Sequence, residues 1–220
     1  MMSNAKNRRP LKIRGSLIFQ NLASFLSKRN ITPNQISITS ILFAFFAASC
    51  LISIPESQDY LNWFLPLLTA FFIQMRLICN LLDGMVAIEG GKTTASGELF
   101  NDIPDRIADP LILVAAGYAI GIFEWSYMIG WCAGLMSVMT AYIRVLSISI
   151  GAPANFSGPM AKHHRMAIMT IACILTSLEG FVWQQGYVLA ATLLIIIIGS
   201  IITSYRRAVF AYNYLENKNV

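Results

Sequence analysis

Six of the eleven acidic residues in this 220-residue chain lie in one stretch of it: Asp83, Glu89, Glu98, Asp102, Asp105 and Asp109. Asparagines stand among them at helical spacing. Asn80 and Asp83 therefore share one helix face, and Asn101 and Asp105 share another. Carboxylate and amide oxygens are the ligands that a hard divalent cation prefers. If the two faces meet, this stretch predicts a site for Mg²⁺ or Mn²⁺.

Small residues lie beside these oxygens. Gly84 and Ala87 continue the first face, and Gly97 lies one turn before Asn101. They leave room for a bulky group to approach the backbone. A cation next to such a space suits a phosphate-bearing substrate.

The elements that carry these residues are apolar. Hydrophobic residues make up 56% of the chain and charged residues only 12%, whereas a soluble domain carries about a quarter charged residues. Six runs approach or exceed the roughly 20 residues that cross a hydrocarbon core: 37–54, 61–82, 103–123, 125–150, 161–178 and 188–205. The third and fifth reach this length when the polar residues at one end are included. We predict an all-α integral membrane protein with six transmembrane helices.

The placement of charge predicts the orientation of these spans. A basic segment precedes the first run, and Lys92 and Lys162 lie in the second and fourth loops. The first, third and fifth loops carry acids instead, among them Glu124 and Glu179. By the positive-inside rule, both termini and the even loops are cytoplasmic. The acidic stretch then lies at the cytoplasmic face of the inner membrane.

The chain divides into three parts. Residues 1–35 form a cytoplasmic N-terminal segment, in which apolar residues at helical spacing over 11–29 predict an amphipathic helix on the membrane surface. The alternative is a plain basic anchor that only sets topology. Thr32 or Asn34 is expected to cap the first span. Residues 36–205 form the transmembrane catalytic domain, and 206–220 form a cytoplasmic tail.

The acidic stretch resembles the signature of the CDP-alcohol phosphotransferases, also called CDP-alcohol phosphatidyltransferases. That signature reads D-xx-D-G-xx-A-R, eight residues, then G-xxx-D-xxx-D. This chain has Asn80-xx-Asp83-Gly84-xx-Ala87-Ile88, eight residues, then Gly97-xxx-Asn101-xxx-Asp105. Every spacing matches, and six spans behind a surface helix are also typical of that family.

The resemblance implies a role for each aspartate position. In that family the four aspartates hold two divalent ions, and the last is also the general base toward the acceptor hydroxyl. By position, Asp105 is the implied catalytic base, and Asp83 and Asp105 are the charged metal ligands. Asn80 and Asn101 offer only neutral oxygens, and each lost charge pair is worth about a few kcal/mol of cation binding. Glu98 is a candidate replacement ligand.

Two further points concern the same signature. The resemblance implies that the nucleotide contacts Asp83, Gly84, Ala87 and Gly97. Ile88 stands where the family has an arginine, and Arg76 is a candidate to replace that arginine. A shifted register, with Asp105 and Asp109 as the last two acids, keeps both charges but lengthens the loop by four residues.

Basic residues follow on the same predicted side of the membrane. Arg144 lies near the end of the fourth run, and Lys162 and Arg165 are three positions apart after a Gly158-Pro159 turn. Cations at a helix start oppose the helix dipole, which favours an anionic partner. The resemblance implies that these three residues bind the phosphate of an acceptor. The alternative is that Lys162 and Arg165 only enforce topology.

The resemblance implies transfer of a phosphatidyl group from CDP-diacylglycerol to a polar alcohol, with release of CMP, in phospholipid biosynthesis. Glycerol phosphate, inositol or its phosphate, and serine are all open as acceptors. The expected partners are CDP-diacylglycerol, the alcohol, membrane lipids and a second copy of the chain, and no nucleic acid. Two alternatives are a family member that binds CDP-lipid without turnover and a small transporter. Acids at one membrane end argue against the transporter.

Overall fold

A computed structural model describes residues 16–56, 59–89, 91 and 96–218. Within these residues the regular elements are all α-helices, as predicted. They are α1 (Leu17–Lys28), α2 (Pro33–Ile52), α3 (Asp59–Asn62), α4 (Phe64–Glu89), α5 (Gly97–Ala119), α6 (Ser126–Ser149), α7 (Lys162–Glu179) and α8 (Tyr187–Lys218).

Four of the helices are long and apolar enough to cross a membrane. These segments are Pro33–Ile52, Phe64–Ile88, Ser126–Ser149 and Tyr187–Asn217. They overlap the first, second, fourth and sixth predicted spans. The third and fifth predicted spans fall in α5 and α7, whose first turns carry several charged residues. Composition and length therefore confirm a membrane protein with four such segments.

The faces of α2 show how the bundle is packed. Ser40, Ala44 and Ala47 are buried, whereas Leu42 and Phe45 each remain 56% exposed. Small side chains let helices approach closely, and large apolar side chains on the outside suit a lipid environment. The arrangement is that of a membrane bundle, in which the interior is not more apolar than the surface.

The start of α2 is defined by local hydrogen bonds. Thr32 Oγ1 accepts from the backbone N–H of Gln35 at 3.3 Å, and Gln35 Oε1 accepts from the N–H of Thr32 at 2.9 Å. This capping box satisfies two N–H groups that the helix leaves without partners. Of the two predicted caps, Thr32 is the one confirmed.

Helix α5 occupies the middle of the bundle, where it packs against α2, α6 and α8, while α7 packs against α4 and α8. Helix α1 lies against the last turns of α4. Ala23 is buried there in a cluster that includes Leu82 and Val86. The opposite side of α1 leaves Leu17 and Ile18 about three-quarters exposed.

Two glycines set the distance between α5 and α6. A Cβ on Gly130 would lie 2.8 Å from Gly117 Cα, and a Cβ on Gly117 would lie 2.6 Å from Gly130 Cα. Neither position can hold a side chain unless a helix backbone moves. The small residues therefore act in packing.

We predict that Gly130→Ala lowers the free energy of unfolding by about 1–3 kcal/mol, because the added methyl group forces the two backbones apart. The measurement is denaturant unfolding of the detergent-purified protein. Gly180→Ala is the matched control, since a Cβ there meets no atom within 4 Å and its φ of −62° suits alanine. Equal stability of the two variants would contradict the predicted close packing.

Candidate active site

Charged side chains from α4, α5 and α7 meet at one end of the bundle. We call this group the ionic centre, and its members are Arg76, Asp83, Asp105, Asp109, Lys162 and Arg165. The three acids and the two arginines are all at least 94% buried. The acidic and basic residues predicted from separate parts of the sequence therefore lie together.

Asp105 is the residue with the most contacts in the ionic centre. Its Oδ1 accepts from Arg76 Nη2 at 2.9 Å and from Asn80 Nδ2 at 3.0 Å. Its Oδ2 forms an ion pair with the Lys162 ammonium group. Both carboxylate oxygens are thus engaged by donors. The contact with Asn80 shows that the predicted faces of α4 and α5 do meet.

Asp109 lies one turn deeper in the bundle. Its Oδ1 is 2.5 Å from Arg76 Nη2, and its Oδ2 accepts from Arg165 Nη2 at 3.0 Å. Arg165 Nη1 also donates to Thr140 Oγ1 at 3.0 Å and to the Met160 carbonyl at 3.1 Å. Arg76 therefore joins Asp105 to Asp109, and Arg165 ties Asp109 to α6 and to the loop before α7.

Asp83 faces the same centre from α4. Its Oδ2 accepts from Ser37 Oγ on α2 at 2.6 Å. The carboxylate is also close enough to Asp105 and Lys162 to interact with both electrostatically. The structure thus brings together the two aspartates that the signature retains.

The other predicted metal and nucleotide residues lie at the rim. Gly84, Ala87 and Gly97 are half-buried, and Asn101 is exposed. The Glu98 side chain lies outside the described residues. The part of the chain that the structure describes contains no group of three or more His, Cys, Asp or Glu side chains that could hold a metal ion. Because donors occupy both oxygens of Asp105, the described residues do not fit a divalent cation.

A second, shallower ion-pair group adjoins the ionic centre. Arg144 Nη2 donates to both Asp102 oxygens at 2.9 and 3.2 Å, and Arg106 Nη2 donates to Oδ1 at 3.0 Å. The Arg144 guanidinium also lies over the Phe156 ring, 5.5 Å from its centroid. Burial alone would raise the pKa of Asp102, but the two guanidinium groups outweigh it and hold that pKa below its ordinary value.

Two predicted roles are not supported by this geometry. Arg165 was expected to bind acceptor phosphate, but its side chain is 2% exposed and is occupied by Asp109. Arg76 was considered as a replacement for the arginine missing at position 88, yet its side chain has no exposed surface. Both arginines lie too deep to reach a substrate and instead fix the carboxylates. Arg144 and Lys162, each with side chains 22% exposed, are the cations that remain accessible.

Three contributing residues were not predicted from the sequence. Ser37 is a polar residue inside the first apolar run, and that was its only signal. Arg106 lies four positions after Asp102, a spacing that favours an ion pair on a helix. Arg207 donates to the Thr140 carbonyl at 2.6 Å and to the Ser157 carbonyl at 3.1 Å, so it holds the loop before α7 against α6. Its position after the last span suggested only a topology signal.

The bundle and its ionic centre define a helical membrane protein with paired carboxylates at one end, and comparisons with known proteins agree with this class. A model of the CDP-alcohol phosphatidyltransferase family matches residues 30–211. The chain therefore belongs to this family of transferases of phospholipid biosynthesis.

Two curated relatives match over most of the chain. A phosphatidylinositol phosphate synthase of Streptomyces avermitilis is 25% identical over 193 residues, which cover 85% of this chain and 75% of the relative. The inner membrane protein YnbA of Escherichia coli is 26% identical over 160 residues, which cover 69% of this chain and 73% of YnbA.

Solved structures share the fold. The phosphatidylinositol phosphate synthase PgsA1 of Mycobacterium tuberculosis with CDP-DAG bound aligns with a TM-score of 0.72 at 18% identity, covering 90% of this chain and 94% of that one. A second structure of PgsA1, in complex with manganese and citrate, aligns with a TM-score of 0.70 at 17% identity, covering 88% of each chain. At these identities the likeness shows the fold alone.

We predict that Asp109→Asn lowers the free energy of unfolding by about 3–5 kcal/mol, because it leaves the buried Arg165 without a counter-charge and removes one of the two carboxylates that Arg76 contacts. The matched control is Asp102→Asn, in which the exposed pair loses about 1 kcal/mol or less. The Asp109 side chain is 1% exposed and that of Asp102 is 37% exposed. Unfolding of both variants in detergent tests the difference, and similar losses would contradict the assignment of Asp109 as the buried anchor.

Proposed function

We propose that this chain is a CDP-alcohol phosphotransferase that moves the phosphatidyl group of CDP-diacylglycerol to the hydroxyl group of a polar alcohol and releases CMP. The observation that carries the proposal is the meeting of Asp83 and Asp105 from α4 and α5, at the family's spacing, in one buried centre. The family supports this reaction class, and the CDP-DAG bound to PgsA1 supports the donor.

The proposed arrangement in the membrane has six spans. Helices α5 and α7 are the third and fifth, with their charged first turns at the cytoplasmic face. The exposed apolar side of α1 rests on the membrane surface. Both termini lie in the cytoplasm, and residues 36–205 form the catalytic unit between the segments 1–35 and 206–220. A relative named as an inner membrane protein supports that location.

The reaction requires one base and no covalent enzyme intermediate. Asp105 takes the proton of the acceptor hydroxyl, and the resulting oxygen attacks the phosphorus that bears the diacylglycerol. The bond from this phosphorus to the CMP oxygen breaks, and CMP leaves with the bonding electrons. Asp105 can act only after one of its present donors moves away, because both of its oxygens are engaged.

The identity of the acceptor depends on the accessible cations. Arg144 contacts Asp102, and Lys162 contacts Asp105. Both cations remain partly exposed, so they are available to substrate phosphates. The name of the phosphatidylinositol phosphate synthases supports inositol phosphate as the first acceptor to test. Assembly as a homodimer stays a prediction.

The divalent cation, Mg²⁺ or Mn²⁺, is the part of the expected mechanism that the described residues support least. Its predicted ligands are Asn80, Asp83, Asn101, Asp105 and Glu98, and this set stays a prediction. The manganese bound to PgsA1 supports a cation in that protein. Neither the proton transfer to Asp105 nor the displacement of CMP is assigned to a metal ion.

A second candidate function is binding of CDP-lipid without turnover. The complete engagement of Asp105 by Arg76, Asn80 and Lys162 favours it, because a carboxylate that keeps these partners accepts no proton. The two functions share the same donor site, so turnover alone separates them.

We predict that the purified chain releases CMP from CDP-diacylglycerol only when an acceptor is present, and that Asp105→Asn abolishes this release. The assay uses a panel of glycerol phosphate, inositol phosphate, inositol and serine. Glu56→Gln, an exposed acid-to-amide change far from the ionic centre, is the control with unchanged activity. Binding of CDP-diacylglycerol by Asp105→Asn verifies folding. Donor binding by the wild type without CMP release would instead establish the non-catalytic function.

We predict that Arg144→Met raises KM for a phosphorylated acceptor by about tenfold or more, because one charge-assisted hydrogen bond is lost. KM for a neutral acceptor and for the donor stays unchanged. Arg106 still holds Asp102 in this variant, so the local structure is retained. Arg206→Met, at an exposed position of α8, is the matched control. An equal change in KM for neutral and phosphorylated acceptors would remove Arg144 from the acceptor site.

A further inference from the structure

The charges of the ionic centre balance without an added ion. Asp83, Asp105 and Asp109 are matched by Arg76, Lys162 and Arg165, so the net charge of the group is zero. A divalent cation binds where carboxylates are in excess, because its dehydration must be compensated. The described residues offer no such excess.

The contact of Asn80 also indicates that Asp105 is balanced by basic side chains of the protein and not by a metal ion. Its amide nitrogen, not its oxygen, faces Asp105, and it donates to Oδ1 beside Arg76. An aspartate at this position would place a third carboxylate against Asp105. The asparagine instead supplies a donor, so the position stabilises the charge of Asp105 without a metal ion.

Among the described residues, the buried atoms of the ionic centre without a hydrogen-bond partner are three donors and one acceptor, Asp109 Oδ1, which still forms an ion pair with Arg76 Nη2. Arg76 Nε and Nη1 and Arg165 Nε have no hydrogen-bond acceptor among the residues that the structure describes. A metal ion would need additional acceptors at this place. These donors lie too deep to reach a substrate, but their excess over the buried acceptors disfavours a metal ion at this place.

Lys162 is the most exposed cation of the centre. Its side chain is 22% exposed, compared with 0% for Arg76 and 2% for Arg165. It also lies in the first turn of α7, after a loop that ends with Gly158, Pro159 and Met160. A flexible ammonium group at this place can exchange one anionic partner for another.

We propose that two basic residues take the place of the divalent cation in this chain: Arg76 balances the charge of Asp105 from inside the bundle, and Lys162 passes from Asp105 to the diphosphate of the donor when CDP-diacylglycerol binds. The proposal rests on the proposed function for the identity of the donor. The exchange has two effects at once. It neutralises charge on the diphosphate, and it leaves Asp105 Oδ2 open to accept the hydroxyl proton.

The first experiment measures Mn²⁺ binding directly, with no substrate present. Detergent-purified full-length chain is titrated with Mn²⁺, and free Mn²⁺ is followed by its electron paramagnetic resonance signal. The expected result for the wild type is no saturable binding through the millimolar range. Saturable binding that Mg²⁺ displaces would overturn the proposal.

The second experiment restores the family's acids. Asn80→Asp combined with Asn101→Asp is expected to raise Mn²⁺ affinity by about 100-fold or more, and Mn²⁺ should raise the thermal stability of this variant alone. Asn213→Asp combined with Asn217→Asp adds the same charge at exposed positions of α8 and is the matched control. A folded Asn80/Asn101 variant that gains no Mn²⁺ binding would also overturn the proposal.

The third experiment tests the exchange of Lys162. Lys162→Met is expected to weaken binding of CDP-diacylglycerol in mixed micelles by about tenfold or more, and Lys162→Arg should retain most of the affinity. Mn²⁺ should leave donor affinity of the wild type unchanged. The control is Lys28→Met, at an exposed end of α1. Unchanged affinity in Lys162→Met would reject the contact with the diphosphate.

These measurements separate failure of the inference from failure of the proposed function. If the wild type releases no CMP with any acceptor, the proposed reaction is wrong, yet Mn²⁺ and donor binding still decide the role of Lys162. If CMP release occurs but stops in EDTA and resumes with Mg²⁺, the reaction stands and the metal replacement is wrong. If the Asn80/Asn101 variant does not fold, the wild-type titration and the Lys162 variants decide the question.

Discussion

A buried ion-pair layer holds one end of the helix bundle together. Arg76, with no exposed surface, contacts Asp105 and Asp109, and Asp109 also contacts Arg165. Helices α4, α5 and α7 thus share charges that would be strongly destabilising if any partner were missing. Asn80 and Lys162 reach Asp105 only because Arg76 holds that carboxylate between the helices. The geometry of the candidate active site therefore depends on this layer.

Local features of the site could be predicted from the sequence because they follow helical periodicity. Spacings of three and four residues place Asn80 beside Asp83 and Asn101 near Asp105, and the few residues between the two stretches in the sequence predict that the two faces meet. The contact between Asn80 and Asp105 shows this meeting. The capping box at Thr32 is local in the same sense, since its two hydrogen bonds span three residues.

The choice of ion-pair partners could not be predicted, because it depends on depth in the bundle. Arg165 and Asp109 are separated by 56 residues, and Arg144 and Asp102 by 42. Lys162 and Arg165 lie on one helix face, yet Arg165 enters one turn deeper and meets Asp109 instead of Asp105. A spacing of three residues predicts a shared face and leaves open which of two acids each cation will reach. The prediction that Arg165 binds phosphate did not take into account how deeply this residue lies in the bundle.

The asparagines at positions 80 and 101 and the basic residues of the ionic centre act on the same property, which is the net charge of the site. In surroundings of low dielectric constant, a group of buried charges is stable only when its sum is close to zero. Removing two negative charges at positions 80 and 101 makes the binding of divalent ions less favourable. With Asn80 neutral, Arg76, Lys162 and Arg165 balance the charges of three buried aspartates. The number of signature aspartates therefore does not decide whether this chain is a catalyst. Under the proposed exchange, what matters is whether a positive charge can reach the donor diphosphate, and the ammonium group of Lys162 lies at the partly exposed rim of the centre.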